Sequence, residues 1–415
     1  MIKILHFADA HIDMARSGKQ DAESGLPLRA LDFLAALDAI VDAAVREPVD
    51  LVLFAGDAYR DRTPAPTFQR EWGRRMMRLS QASIPTLLIT GNHDVPPTSG
   101  RAHALQEYET LAVAHVQVVS KPSLLKPADL EGLPLQIIAL PWPNRSALLA
   151  ALGLQAAGAD ITTILEEQIS SLVNTFLNQL DPSLPALLLA HGSVAGAVYG
   201  NERSVMLGHD WLLPASLVKD PRLDYAALGH IHKYQDLNPG SQPPVVYPGS
   251  IERLDFGEMQ DEKGYVLVRL EKGSTSYERR VLNGRRFYSQ EISFENAEQA
   301  ADRLENALSL AGDLDGVLAR LILDYPRELE SLIDEPALRQ KAAAALEFHL
   351  IRRPRSEARL RLPADQRLTE LPPQRLLELY WQAVHAEQPL SDELAALASD
   401  IFQTTAGGTP QEPGA

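Results

Sequence analysis

The sequence predicts a layered α/β fold with additional smaller domains, and three observations carry that expectation. Over the first two thirds of the 415 residues, short apolar runs alternate with longer amphipathic stretches. Several of the apolar runs end in clusters of Gly, Asp, Asn and His. The composition, 45% hydrophobic and 23% charged, is that of a globular protein, in a chain too long for one ordinary core.

The elements follow in order. Ile2–Ala8 reads as a buried strand, a mostly apolar run too short for a helix. Leu28–Arg46 places its apolar residues at helical spacing. Val49–Ala55 is a second strand, Thr67–Ala82 a second helix and Pro85–Thr90 a third strand. Further strands are expected at Leu135–Leu140, Ala186–Ala190 and Tyr225–Leu228, with a long helix at Ile161–Leu180. Val245–Tyr247 and Gly264–Leu270 complete this part. From about Ser274 the composition shifts. Gln290–Ser293, a helix at Ala297–Ser309 and a strand at Val317–Asp324 predict a small α+β domain reaching about Leu362. Pro363, Pro372 and Pro373 mark a linker, followed by amphipathic helices at Gln374–Ala386 and Ser391–Phe402. The tail Thr404–Ala415, rich in Gly, Pro and Thr, is expected to be disordered. The expected domains are therefore 1–272, 273–362, 363–403 and 404–415.

Several classes are disfavoured at once. Without cysteine there are no disulfides and no thiolate metal sites, so a metal would need His, Asp, Glu or Asn. The apolar stretch at the N-terminus is too short for a signal peptide, and no run reaches membrane-spanning length, so a soluble, cytoplasmic protein is expected. A net charge of −16 argues mildly against nucleic acid. A metal site or a local basic patch can reverse that field where it matters.

The polar clusters carry the chemistry. After successive predicted strands come Asp9-Ala10-His11, Gly56-Asp57, Gly91-Asn92-His93-Asp94, His191 and Gly229-His230-Ile231-His232. In α/β sheets the carboxyl ends of strands form the ligand crevice, so these residues should converge. Each alone has a plain structural explanation as a turn or a hydrogen-bonded histidine; all five in this order are hard to obtain by chance. Phosphodiester hydrolysis near neutral pH needs a hydroxide, a neutralised phosphoryl group and a stabilised leaving oxygen. Two divalent ions about 3.5–4 Å apart supply these, and a bridging carboxylate, the role given to Asp57, sets their spacing. Imidazole and carboxylate donors without sulfur suit manganese, iron or zinc.

This ordered set resembles the calcineurin-like metallophosphoesterase superfamily. Tyr247-Pro248-Gly249-Ser250-Ile251-Glu252-Arg253, Asp255-Phe256-Gly257-Glu258 and Lys263-Gly264 resemble, more narrowly, the SbcD-type nuclease subunits of bacterial DNA-repair complexes. The resemblance covers about the first 270 residues in motif detail and implies two sheets flanked by helices, capped by a small α+β domain. It further implies that Asp9, His11, Asp57 and His232 hold one ion, and that Asp57, Asn92, His191 and His230 hold the other. His93 is implied to contact the phosphate and assist the leaving oxygen. Asp94 is left between two roles, orienting His93 or capping the turn.

There are departures. Ile12-Asp13 stands where the family usually has Leu-Gly, and Ala58-Tyr59-Arg60 follows Gly56-Asp57. Arg60 is either a phosphate contact or an exposed loop residue, the second being favoured. Arg279-Arg280, Arg285-Arg286, Arg352, Arg353, Arg355, Arg359 and Arg361 are either solvated surface or contacts to a phosphate backbone. The C-terminal helices either pack on the enzyme or, as the resemblance implies, dock on the coiled coil of an SbcC-type ATPase.

The leading expectation is a manganese-dependent DNA nuclease acting in double-strand-break repair, with exonuclease and endonuclease activity, as a homodimer within a heterotetramer. A phosphatase or phosphodiesterase for small molecules or proteins is the alternative. Protein phosphatases of the superfamily carry Gly-Asp-x-x-Asp-Arg-Gly and Gly-Asn-His-Glu, which this chain does not match in register. A degenerate, non-catalytic scaffold is disfavoured because every expected ligand is present.

Overall fold

The computed structural model describes residues 1–15, 18–96, 101–143, 161–200 and 212–355, and only isolated positions beyond. The linker, the helices expected at Gln374–Ala386 and Ser391–Phe402 and the tail therefore lie outside the described residues, apart from those isolated positions.

Strands β1 (Ile2–Phe7), β2 (Leu51–Phe54), β3 (Thr86–Ile89) and β4 (Val116–Val119) run parallel in a first sheet. Antiparallel β13 (Gly264–Leu270) and β14 (Ser276–Val281) extend it, giving the order β14-β13-β1-β2-β3-β4. The second sheet has the order β11-β12-β10-β7-β6-β5. It is built from β5 (Ser123–Leu125), β6 (Gln136–Leu140), β7 (Ala186–His191), β10 (Tyr225–Gly229), β11 (Gln235–Asp236) and β12 (Val245–Tyr247). Its inner strands are parallel, with β5 and β11 as antiparallel edges. Two short strands, β8 (Ser193–Val194) and β9 (Leu212–Leu213), pair separately.

The alternation of side chains explains why the inner strands are largely apolar on both faces. In β1, Ile2 and Ile4 join a core shared with Ile137, Leu187 and Ala227 of the second sheet. Leu5 and Phe7, one residue out of step, pack with the helices Leu28–Arg46 and Pro66–Gln81. The second sheet repeats the scheme: Ile137 and Leu189 face the first sheet, while Ile138 and Leu188 pack with helix Ile161–Asn178. Both faces of both sheets are covered, so no polar face is needed. The architecture is the expected α/β one, two sheets flanked by helices.

Strand register brings the carboxyl ends together. Phe7 pairs with Phe54, Phe54 with Leu88, and His191 with Gly229. The loops that follow leave each sheet at one edge.

The chain divides into two compact units, the first being Met1–Phe287 with Gly316–Leu318. It runs past residue 272 because β14 is an edge strand of the first sheet. That strand, Ser-Tyr-Glu-Arg-Arg-Val, carries a polar alternation that reads as a charged surface run rather than a strand. The second unit is Tyr288–Asp315 and the chain from Ala319. Its described part is a three-stranded sheet, β15 (Phe287–Ser293), β16 (Leu318–Pro326) and β17 (Glu347–Arg355), with helices Ala297–Glu305 and Glu335–Lys341. Each helix starts where the sequence supplies a cap. Asn296 accepts from the Gln299 amide at 2.9 Å and Asp334 from that of Ala337 at 3.0 Å. The sequence does not announce β17, because its arginines and Pro354 mask a strand that is largely exposed.

Candidate metal centre

The loops after β1 and β2 are joined through their backbones, as are those after β7 and β10. The Asp9 amide donates to Gly56 O at 3.0 Å, Ala10 to Asp57 O at 2.8 Å, and Gly192 to Gly229 O at 3.2 Å. Asp9, His11, Asp57 and His230 all have positive φ, at 50°, 40°, 63° and 101°. Such conformations cost of order 1–3 kcal/mol each for non-glycine residues and persist where the surroundings over-determine them. Two glycines set how closely the loops approach. A Cβ on Gly91 would lie 2.1 Å from Asp57 Oδ1, and one on Gly56, at φ +94°, would lie 2.4 Å from His191 Nδ1.

All eight residues singled out from the sequence come together here. Ligand atoms of Asp9, His11 and His232 form one trio within 4.8 Å of one another, and those of Asp57, His191 and His230 form a second. Asp57 Oδ2 lies 3.8 Å from His11 Nε2 and 3.4 Å from His191 Nε2, so one oxygen faces both trios. Asn92 Oδ1 lies 3.0 Å from both His191 Nε2 and His230 Nδ1. The Asp9 carboxylate receives the His230 amide at 3.1 Å on each oxygen. His93, half-buried, donates its amide to Asp57 Oδ1 at 2.8 Å, and its ring lies 5.2 Å from that of His11.

The donor set fits a pair of divalent cations. His11 Nδ1 faces Tyr59 O at 3.3 Å and His232 Nδ1 faces Glu258 Oε1 at 2.8 Å, which assigns the ring proton to Nδ1 in both. Their Nε2 lone pairs then oppose each other at 3.2 Å, an arrangement that needs a positive centre between them. A proton is disfavoured: burial, reinforced by His232 and His93, holds His11 well below the usual imidazole range. His191 likewise commits Nδ1 to Ala55 O at 2.6 Å and turns Nε2 to Asp57 and Asn92. Burial pushes its imidazole down, but the Asp57 carboxylate beside it prevails and raises it to about 9 in the metal-free chain. For Asp57, burial pushes upward and is outweighed by His191, His93 and His11, which hold it well below the ordinary carboxylate range.

A second layer of contacts fixes the donors, and part of it is not legible in the sequence. Glu258, buried, takes His232 Nδ1 at 2.8 Å, Lys263 Nζ at 2.9 Å and the Leu254 amide at 2.9 Å. Burial raises its carboxyl, but His232 and Lys263 overcome this and bring it down to about 2. Of the two roles open for Asp94, the capping one is observed. Its carboxylate accepts the amides of Asp57 at 2.9 Å, Ala58 at 3.1 Å and Gly91 at 2.9 Å, fastening two loops. His93 Nδ1 is held instead by the carbonyl of Arg60 at 2.6 Å. The Arg60 side chain is exposed, while Asp13, buried, accepts the Arg60 and Asp61 amides. The departure at Asp13 thus anchors the loop that holds His93. Arg62, two positions past Arg60, donates Nε to Asn92 O at 3.2 Å, which places an exposed guanidinium at the rim. Trp142, at the end of β6, lies 5.2 Å from the His230 ring and 6.1 Å from that of His191. An aromatic after an apolar strand carries no signal that separates it from core, so the sequence could not have marked it.

The arginine clusters are largely ion-paired. Arg279 bonds Glu262 at 3.1 Å, Arg280 meets Glu278 at 3.1 Å, and Arg285 chelates Asp32 at 2.5 and 2.6 Å. In the second unit Arg352 pairs with Glu335, Arg353 with Glu291 at 3.2 Å, and Arg355 with Glu295 at 2.7 Å and Asp324 at 2.5 Å. Arg359 and Arg361 lie outside the described residues. No described helix is long and apolar enough to cross a membrane.

The chain is similar to known proteins. The family model described as calcineurin-like phosphoesterase matches residues 2–234. YhaO of Bacillus subtilis, an uncharacterized metallophosphoesterase, is 28% identical over 278 residues, covering 67% of this chain and 59% of YhaO. The chain thus spans less than two thirds of that relative. The SbcD component of the nuclease SbcCD from Rhodobacter capsulatus is 30% identical over 287 residues, 66% of this chain and 67% of its own. The DNA double-strand break repair protein Mre11 of Archaeoglobus fulgidus is 23% identical over 365 residues, 84% and 74% respectively. With the matched segment holding more than half the chain, including every residue of both trios, this protein belongs to the calcineurin-like phosphoesterase family.

Proposed function

We propose that the chain is a manganese-dependent DNA nuclease, cutting duplex ends as an exonuclease and single strands as an endonuclease. The observation that carries this reading is Asp57 Oδ2 set between two trios, buried apart from half-buried His232, with Asn92 and His93 on the adjoining loop. In this reading Asp9, His11, Asp57 and His232 hold one ion, and Asp57, Asn92, His191 and His230 the other. Such a pair supplies charge neutralisation at the phosphoryl oxygens and a nucleophile at neutral pH. The net reaction adds water across a P–O bond: oxygen to phosphorus, a proton to the leaving alkoxide. His93 is suited to the leaving side. Arg60 O takes the Nδ1 proton, so Nε2 is the nitrogen left to face the phosphate, and it would deliver a proton to the departing oxygen from the imidazolium form. Arg62, tethered to Asn92 O, can meet a phosphate oxygen at the rim. Two relatives named as a nuclease and a DNA double-strand break repair protein favour DNA over other phosphoesters.

A second reading, hydrolysis of a small-molecule or protein phosphoester, is favoured by one observation. Of the arginines that are candidate contacts to a phosphate backbone, Arg279, Arg280, Arg285, Arg352, Arg353 and Arg355 are engaged by acids, in a chain of net charge −16. The deciding assay incubates the protein with manganese or magnesium on linear duplex DNA, single-stranded DNA and a small chromogenic phosphodiester. Manganese-dependent loss of DNA, abolished in Asp57→Ala, supports the nuclease; turnover of the small ester alone sinks it. We further infer an SMC-like, SbcC-type ATPase as partner, docked through the segment after Pro363, in an assembly built on a homodimer. In the same assay, a chain ending at Pro363 should keep small-ester turnover and lose co-purification with the ATPase.

A further inference from the structure

The ion cage does not by itself select a substrate, whereas the wall beside it bears a feature that no ligand role uses. Trp142 follows the last residues of β6 and is half-buried. Its ring tilts at 37° to the His230 ring at 5.2 Å and meets the His191 ring edge-on at 6.1 Å. Both histidines belong to the trio around Asp57 and share Asn92 Oδ1. The Trp142 amide donates to Thr90 O at 2.8 Å, tying the indole to the loop that carries Asn92 and His93. Pro141 and Pro143 flank it, restricting the backbone on either side. An indole fixed this way is a rigid apolar surface beside the trio around Asp57.

We propose that Trp142 is a specificity-determining contact: it stacks on the base of a nucleotide adjoining the scissile phosphate, so that the site favours nucleoside phosphodiesters over esters of plain alcohols. The proposal rests on the nuclease reading and deepens it. Aromatic stacking on an unpaired base is tolerant of sequence, since every base has a π face, and contributes about 1–3 kcal/mol per base on alanine replacement. It also requires the base to be unstacked, which single strands and frayed ends provide. A purely supportive role, in which the indole only braces the rings of His230 and His191, predicts something different. Loss of the indole would then act on every substrate alike.

The test uses the full chain with manganese and two single-stranded oligonucleotides, identical except that one carries abasic sites around the position cut. The wild type should favour the base-bearing strand by roughly tenfold in kcat/KM. Trp142→Ala should bring that ratio to about one by raising KM for the base-bearing strand, and Trp142→Phe should retain most of it. Anisotropy of the labelled strands in chelator, where nothing is cut, should show the same ordering in binding. Equal cutting of both strands by the wild type overturns the proposal. So does a Trp142→Ala protein slowed by the same factor on both strands and on a small phosphodiester. A wild type that turns over the small ester but neither strand overturns the nuclease reading itself.

Discussion

At His93 the backbone and the ring are held by different partners. Its amide rests on Asp57 Oδ1 and its Nδ1 on Arg60 O. Replacing the ring should therefore leave the cage intact and remove proton delivery: His93→Gln should retain about two metal equivalents by titration and lose roughly 10²–10⁴-fold in kcat. Loss of metal instead would make His93 a ligand. Glu258 acts at one remove, through His232. Glu258→Gln should weaken metal binding about 10–100-fold in calorimetry, as expected when the partner of a ligating histidine is lost. Retained affinity would show that the carboxylate serves Lys263 and Leu254 alone.

Among elements, the ones legible in the sequence are those with both faces buried. The strands at Ile2, Leu51, Thr86 and Ala186 show as largely apolar runs because one set of side chains meets the opposite sheet and the other the helices. β14 and β17 escape the same reading because most of their side chains are polar, so that no apolar alternation marks them. The ligand residues are legible for a related reason: each directly follows one of the legible strands. Glu258, Asp13 and Trp142 are joined to the centre only by contacts between distant loops, and local sequence does not encode those. The spacing of the loops rests on glycine. In Gly91→Ala the new methyl meets Asp57 Oδ1 and the Asp57 backbone, neither of which can retreat without moving the ligand. Metal binding should fall at least tenfold while circular dichroism stays near the wild type; an unchanged metal titration would refute this account of the loops.

For the molecule as a whole, the centre couples metal binding to pH. His191 in the metal-free chain is raised from 6.5 to about 9 by Asp57, so below about 9 it carries a proton that a cation on Nε2 must displace. Its raised value stabilises the metal-free fold fully below pH 6.5, and this contribution fades as pH rises through about 9. Metal affinity should therefore climb with pH up to about 9. Calorimetry near pH 7.5 in buffers of different ionisation enthalpy should show about one proton released per chain from this group. Pairs of buffers giving identical heats would contradict it.

The carboxylate of Asp94 knots the Asp57 and Gly91 loops of the cage together, and Gly56 lets His191 close over them. A change to any one loop must be answered in another, which makes the cage heritable only as a block. The exposed side chains of Arg60 and Arg62, at the rim, stand outside that knot. In evolutionary terms, divergence among relatives is expected to concentrate at the rim and to spare the cage.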